Sequence, residues 1–339
     1  MNTKNRTIAV FGSAHPHVLQ VASLAQQAGF EVVGLYDNDK SRRDENAGQL
    51  KVQAFENADA LLGLKPSVAL VGSVPGDRAA MASQCARAGV NVLVDKPLAL
   101  NVEALNELKR IVAATGRRVI VYYPYRGHPY LRAARAAIAR GDIGELVCVE
   151  TTGPHCIGVH DRPAWHWERH NNGDLLIDIA AHGFDICHWF VDGQVVDVNA
   201  RMGNFNAKAH PDFRDFGICT LRFANGAIAK VEADWLVPSP GGTAETRFGF
   251  QGTRGRIDIR LASDTSATIR NDKGVLALSP ATGSMDDWTI GLLTALCSGD
   301  ACDIDQDAVW RASETSLRAS AAALAEENRF GNAGDKDQL

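Results

Sequence analysis

From residue 7 to about residue 125 the sequence repeats one pattern, a short and almost wholly apolar run followed by a stretch with helical periodicity. The runs are residues 7–11, 31–36, 68–72, 91–94 and 118–122; the helical stretches are 17–28, 40–50, 79–88 and 102–115. A strand without a polar face must be covered on both sides. Parallel strands joined by right-handed helical crossovers achieve that cover, and their ligands lie beyond the C-terminal strand ends. The pattern predicts a doubly wound parallel α/β sheet.

After Pro124 the pattern changes. A helix over 129–140 ends at Gly141, a strand follows at 145–151, and a long loop leads to a helix over 174–190. From Val195 the runs alternate in polarity and are joined by glycine-containing turns, which predicts a large, open, mostly antiparallel sheet. A helix over 305–328 closes this α+β region. The expected domains are 1–124 and 125–330, with a frayed tail at 331–339.

Composition removes several classes of function. Lys and Arg total 35 against 40 Asp and Glu, a net charge of −5, so no basic excess exists for nucleic acid. The longest uncharged span, residues 7–30, is broken by His15, Pro16, His17 and three glutamines, which argues against a membrane span. The N-terminus lacks an apolar signal core, and the 7 cysteines are odd in number without a CxxC pair. Both features point to a reducing, cytoplasmic setting.

The first strand runs into Gly12-Ser13-Ala14-His15-Pro16-His17 and then a helix. Such a turn can present amides and a helix N-terminus to a pyrophosphate, although only the first glycine of G-x-G-x-x-G is kept. Asp37, just past the second strand, has the placement of the acid that binds the adenosine ribose; the alternative is an ordinary turn aspartate. A carboxylate there favours NAD over NADP, while Arg42 and Arg43 leave NADP open. The positive helix end lowers imidazole pKa values, so His15 and His17 are expected neutral at pH 7. They either replace the missing amide contacts to the cofactor or merely cap and pack.

Lys96, in Val94-Asp95-Lys96-Pro97, stands at a C-terminal strand end, where it either faces the ligand crevice or is a solvated loop lysine. On the expected helix over 174–190, Asp178, His182 and Asp185 share one narrow face among apolar residues. They form a satisfied core pair, or a general base held by a carboxylate.

VDKP followed far downstream by NGDLLIDIAAHGFDICHWF resembles the Gfo/Idh/MocA oxidoreductases, which pair a Rossmann domain with an open-sheet α/β domain. The resemblance extends to GDIGEL at 141–146 and QGTRGRIDI at 251–259. Asp95 replaces the family's usual glutamate, Asp174 replaces a glycine, and two loop glycines are lost. The resemblance implies that Lys96 and His182 handle a hydroxyl proton while Asp178 orients them. The expected cofactor contacts are Gly12, Ser13, Ala14, His15, His17, Asp37, Ser73, Pro75 and Lys96. The expected substrate contacts are Lys96, Tyr123, Arg126, His155, Trp165, Asp178 and His182.

Residues 153–170 carry His155, Cys156, His160, His166 and His170, but their spacing matches no standard zinc signature, and no metal is expected. Trp165 and Trp167 either wall a substrate pocket or pack beneath the loop. The expected function is hydride transfer between NAD, with NADP also open, and a secondary hydroxyl of a sugar, cyclitol or similar ring. The alternatives are a redox-neutral lyase or glycosidase of the same fold, with a retained cofactor or a metal, and a cofactor-sensing regulator. A homodimer or homotetramer is expected, built partly on the strand over 227–237 through Ile228, Trp235 and Leu236.

Overall fold

The computed structural model describes residues 6–158, 162–238 and 244–334. The chain forms two compact units: residues 1–127, 170–172 and 283–310, and residues 128–169, 173–282 and 311–339. Residues 170–172 and 283–310, expected in the second domain, therefore cluster with the first. The helix Met285–Ser298 accounts for most of that difference, because it packs on the first unit's sheet. Its Trp288 ring lies so close to Gly127 that a Cβ there would approach it to 2.7 Å. Asn91 Nδ2 donates to the Leu296 carbonyl at 2.8 Å, and Tyr122 shares a hydroxyl hydrogen bond of 3.1 Å with Thr289.

The first unit holds six parallel strands: β1 (Thr7–Ser13), β2 (Glu31–Tyr36), β3 (Ala54–Phe55), β4 (Val68–Gly72), β5 (Asn91–Val94) and β6 (Val119–Val121). Their spatial order is β3-β2-β1-β4-β5-β6. Ile8, Ala9, Val10, Phe11, Val68, Ala69 and Val71 are wholly buried, as a sheet covered on both faces requires. The expected doubly wound sheet is present. The two-residue β3 and the short helix Ala58–Leu62 were not expected, being too brief to carry a periodic signal. The helix expected over 79–88 begins earlier, at Pro75, where a first-turn proline loses no hydrogen bond.

The second unit is built on eight strands: β7 (Leu146–Cys156), β8 (Val195–Gly203), β9 (Phe216–Phe223), β10 (Ile228–Val237), β11 (Thr246–Gly252), β12 (Arg256–Leu261), β13 (Ser266–Asn271) and β14 (Gly274–Ala277). The order is β14-β13-β12-β11-β7-β10-β9-β8, antiparallel except where β7 and β10 run parallel. Strand β7 continues to Cys156, so His155 and Cys156 lie in a strand and not in the expected loop. Pairing to β10 through Asp234↔Pro154 and Leu236↔Cys156 sustains the extension despite its polar residues.

The helix Ala180–Phe190 covers one face of this sheet. Gly183 permits the close approach, since a Cβ there would lie 2.5 Å from Thr151 Oγ1 and 2.7 Å from Val231 Cγ1. Along β10 the burial alternates, and Trp235 points inward, contrary to its expected place among outward contacts. Ile228 and Leu236 are exposed. The opposite face carries a depression of about 410 Å3 lined by Glu150, Lys230, Arg247, Arg256, Asp258 and Arg260 among others. Arg256 pairs with Glu150 and Asp258, and Arg260 with Glu245 and Asp264. This face presents both signs of charge and is not an anion site. The C-terminal helix Gln306–Gly334 extends past the expected end at residue 328, and the remaining tail lies outside the described residues. Among the described residues no helix is long and apolar enough to cross a membrane.

Candidate active site

In the first unit the residues singled out after β1 and β5 converge. Gly12 adopts a φ of +77°, and a Cβ on it would fall 2.5 Å from the Ser73 backbone, so the turn is closed to other residues. Ala14 donates its amide to the Gly72 carbonyl at 2.8 Å, and Ser13 donates its amide to Asp37 at 2.7 Å. Those two amides are occupied in tying the turn down. The helix Pro16–Gln27 then starts without an acidic residue in its own first turn.

Asp37 is buried, and five donors converge on its carboxylate. Ser13 contributes its amide at 2.7 Å and its hydroxyl at 2.9 Å, and the Asp39 amide donates at 2.9 Å. Arg42 contributes Nε at 2.8 Å and Nη2 at 2.6 Å. Burial alone would raise the carboxyl pKa; the bonds from Arg42, Asp39 and Ser13 outweigh it and hold the group below its ordinary value. Arg42, left open in the sequence as an NADP contact, is thus the partner of the acid that favours NAD. Arg43 is buried and pairs instead with Asp44 and Glu56.

His15 and His17 do not act only as caps. Both turn Nδ1 to Asp95, His15 at 3.0 Å from Oδ2 and His17 at 3.1 Å from Oδ1. The three ligand-type atoms lie within 4.8 Å of one another, and the contacts to Asp95 have hydrogen-bond lengths. The Lys96 amide also donates to Asp95, at 2.9 Å, and Arg78 Nη2 lies 3.4 Å away. Asp95 is fully buried; burial raises its pKa, but Arg78 and the two imidazoles bring it well below the usual carboxylate range. The His15 pKa is lowered, as expected, but burial is the principal cause, and it outweighs the attraction of Asp95.

Arg78 is the residue that sequence reasoning missed. It is buried on the helix Pro75–Arg87, donates Nε to the Ser73 carbonyl at 2.9 Å, and donates Nη1 to the carbonyl of Lys96. It therefore fixes the Lys96–Pro97 turn, whose peptide bond is cis. Nothing in PGDR marked it, because its partners lie up to 18 residues away. Lys96, Ser73, Pro75, Tyr123 and Arg126 are all buried in this unit.

In the second unit Asp178, His182 and Asp185 are buried, but Asp178 is not part of the regular helix as expected. The regular helix starts at Ala180, and Asp178 lies in the turn before it. Asp174 Oδ1 accepts from the Leu176 and Ile177 amides at 3.0 and 3.3 Å, capping that turn. The Ala180 amide then reaches back five residues to Leu175, and the His182 amide only three to Ile179. These steps depart from the regular four-residue spacing of an α-helix, whereas His182 and Asp185 both lie within the regular helix.

The aromatic segment packs on itself. Trp167 stacks on His210 with centroids 3.9 Å apart and planes at 8°. His166 sits edge-on to Trp167 at 5.3 Å and to Trp235 at 5.3 Å, and Arg162 lies over Trp235 at 4.7 Å. Trp165 is half-buried beside His166, and His155 meets Trp235 at 5.4 Å. His160 lies outside the described residues.

Comparison with known proteins agrees with this architecture. The family described as "Oxidoreductase family, NAD-binding Rossmann fold" matches residues 7–123, and the GFO/IDH/MocA C-terminal domain matches residues 131–258. The chain belongs to the Gfo/Idh/MocA family of NAD-binding oxidoreductases. It is similar to inositol 2-dehydrogenase 1 of Saccharopolyspora erythraea, with 28% identity covering 73% of this chain and 72% of that protein. With two other relatives the alignment spans 51% and 64% of their lengths. A crystal structure from Erwinia carotovora atroseptica superposes with a TM-score of 0.86 at 27% identity, covering 94% of this chain and 98% of that one. Levoglucosan dehydrogenase, solved with NADH and L-sorbose, gives 0.81 at 18% identity over 94% and 97%, a likeness of fold.

The Asp37 site yields a direct expectation. NAD should be preferred over NADP by about tenfold, close to 1.4 kcal/mol, and Asp37→Ser should narrow the gap by removing repulsion of a 2′-phosphate. Dissociation constants from fluorescence titration of both cofactors check this. An NADP-preferring wild type would assign the choice to Arg42.

Proposed function

We propose that the protein is a dehydrogenase or reductase that moves a hydride between NAD, or less readily NADP, and the carbon of a secondary alcohol on a polyhydroxylated ring. The observation that carries this reading is the Lys96 turn, a buried lysine whose backbone is fixed by Asp95 and Arg78 beyond the C-terminal end of β5. The residues fit a dinucleotide: a glycine turn, a helix whose own first turn holds no acidic residue, and Asp37 at the end of β2. Gly12, the first turn of the helix with His15 and His17, Asp37, Ser73 and Pro75 would hold it. Ser13 and Ala14 shape that turn, their amides being engaged elsewhere. Bound NAD would supply the hydride acceptor.

The protein's own task is proton and charge management. As the alcohol becomes a ketone, its proton leaves to a base while a cation stabilises the developing oxyanion. Lys96 and His182 take these two roles, and Asp178 orients them. Tyr123, Arg126, His155 and Trp165 contribute substrate contacts. The ring substrates named for the inositol and levoglucosan relatives support a cyclitol or sugar. All seven cysteines are free, which suits the cytoplasm.

Stoichiometric NADH formation from a panel of cyclitols, sugars and anhydrosugars tests the reading and separates it from a redox-neutral enzyme or a sensor. Lys96→Ala and His182→Ala should each lower kcat by at least about 100-fold while leaving NADH affinity near that of the wild type. A variant that keeps more than half its activity would lose its assigned role.

We further propose a homodimer or homotetramer built on the outer face of the eight-stranded sheet. Its paired charges of both signs and the exposed Ile228 and Leu236 suit a self-complementary contact. Light scattering at micromolar concentration should give a dimer or tetramer, and a monomer would contradict this.

A further inference from the structure

A dinucleotide's pyrophosphate is fully ionised at neutral pH and offers only acceptor oxygens, so an imidazole that touches it must present an N–H. His15 and His17 have each committed Nδ1–H to the same carboxylate, at 3.0 and 3.1 Å. His15 Nδ1 also lies 3.4 Å from the His17 amide, but a nitrogen that donates to Asp95 has no lone pair left for that amide. The tautomer is thereby fixed: in the neutral state each ring carries its lone pair at Nε2. A lone pair set against a phosphate oxygen repels it.

We propose that dinucleotide binding draws a proton from solvent onto the His15–His17 pair, so that an Nε2–H anchors the pyrophosphate in place of the amides that the loop has committed elsewhere. This rests on the cofactor reading above and deepens it. The Ser13 and Ala14 amides point to Asp37 and Gly72, and Pro16 has none, so these three positions offer the pyrophosphate no backbone donor. The imidazoles sit at the helix start and retain about a quarter of their side-chain exposure, 25% and 28%. They are neither sealed in the core nor free in solvent.

The charges around the pair set the direction. Asp95, beyond β5, favours the protonated His15 ring, while His17 and Lys96 oppose it; Arg78 on the helix Pro75–Arg87 lies 3.4 Å from Asp95. Tyr122, beyond β6, has its ring 6.3 Å from that of His17; burial pushes its phenol pKa up, so it stays neutral. Burial holds His15 below its ordinary value, so that ring is neutral in the unliganded protein near neutral pH. A bound pyrophosphate adds negative charge and raises the His15 pKa. Affinity therefore rises as pH falls through the interval between the free and bound values.

Isothermal titration at pH 7.5 in buffers of different ionisation enthalpy counts the protons, with NADH and with ADP-ribose as probes. ADP-ribose keeps the pyrophosphate and lacks the nicotinamide, so it isolates this loop from Lys96 and His182 chemistry. Both probes should take up about half to one proton per site, and both dissociation constants should weaken about tenfold between pH 6.5 and 8.5. The double variant His15→Gln/His17→Gln keeps side-chain N–H donors that cannot titrate, so it should bind without proton uptake. Binding by the wild type with no uptake, uptake with NADH alone, or unchanged uptake in the double variant would each overturn the proposal. The wild-type ADP-ribose measurement decides the matter even if the variant does not fold. Failure of the wild type to bind either probe would remove the cofactor reading itself, a distinct result.

Discussion

The first unit depends on one buried carboxylate. Asp95 receives the imidazoles of the phosphate loop, the amide of Lys96 and the guanidinium of Arg78, and so joins β1, β5 and the helix Pro75–Arg87 at their functional ends. A buried charge is tolerable only when it is paired and hydrogen-bonded, and Asp95 is held ionised by its partners. Its position explains why a phosphate loop with one glycine can still keep a defined shape. One lost glycine position holds His17, whose side chain Asp95 fixes from the end of β5; the other holds Ala14, whose amide is tied to Gly72.

Much of the fold was legible because its determinants are local. The strands at 31–36, 68–72 and 91–94 and the helices at 40–50 and 102–115 match the structure residue for residue. In these segments an apolar run or a helical period is set by neighbours within a few positions. The turn over 174–179 was not legible for the converse reason. One side chain, Asp174, caps two amides there, and the regular helix starts only at Ala180, after Asp178.

The site was legible in its residue types and less so in its partnerships. Asp37 stands at the end of β2 as the spacing suggested, yet nothing in that spacing marks Arg42 as the group that occupies its carboxylate. In the sequence Asp95 stands out only as a replacement for the family's usual glutamate, whereas in the structure it is the hub of the loop. Arg78 and the Trp288–Gly127 contact depend on residues brought together only by the fold. In the second unit the buried stripe around His182 was visible from hydropathy. The packing of the 153–170 segment against His210, Phe213 and Trp235 was not.

If Asp95 is the hub, removing its charge should undo more than one contact at once. Asp95→Asn keeps the shape but removes the buried negative charge that faces Arg78 and the two imidazoles, a change that ordinarily costs about 3–5 kcal/mol. Calorimetry of wild type and variant at pH 7 is the direct measurement, and a drop of at least about 5 °C in the first transition is expected. The stabilisation belongs to the ionised carboxylate, so the difference should be full above the ordinary value of 3.8 and shrink as pH falls toward the depressed native value. A variant melting within about 1 °C of wild type at pH 7 would contradict the account.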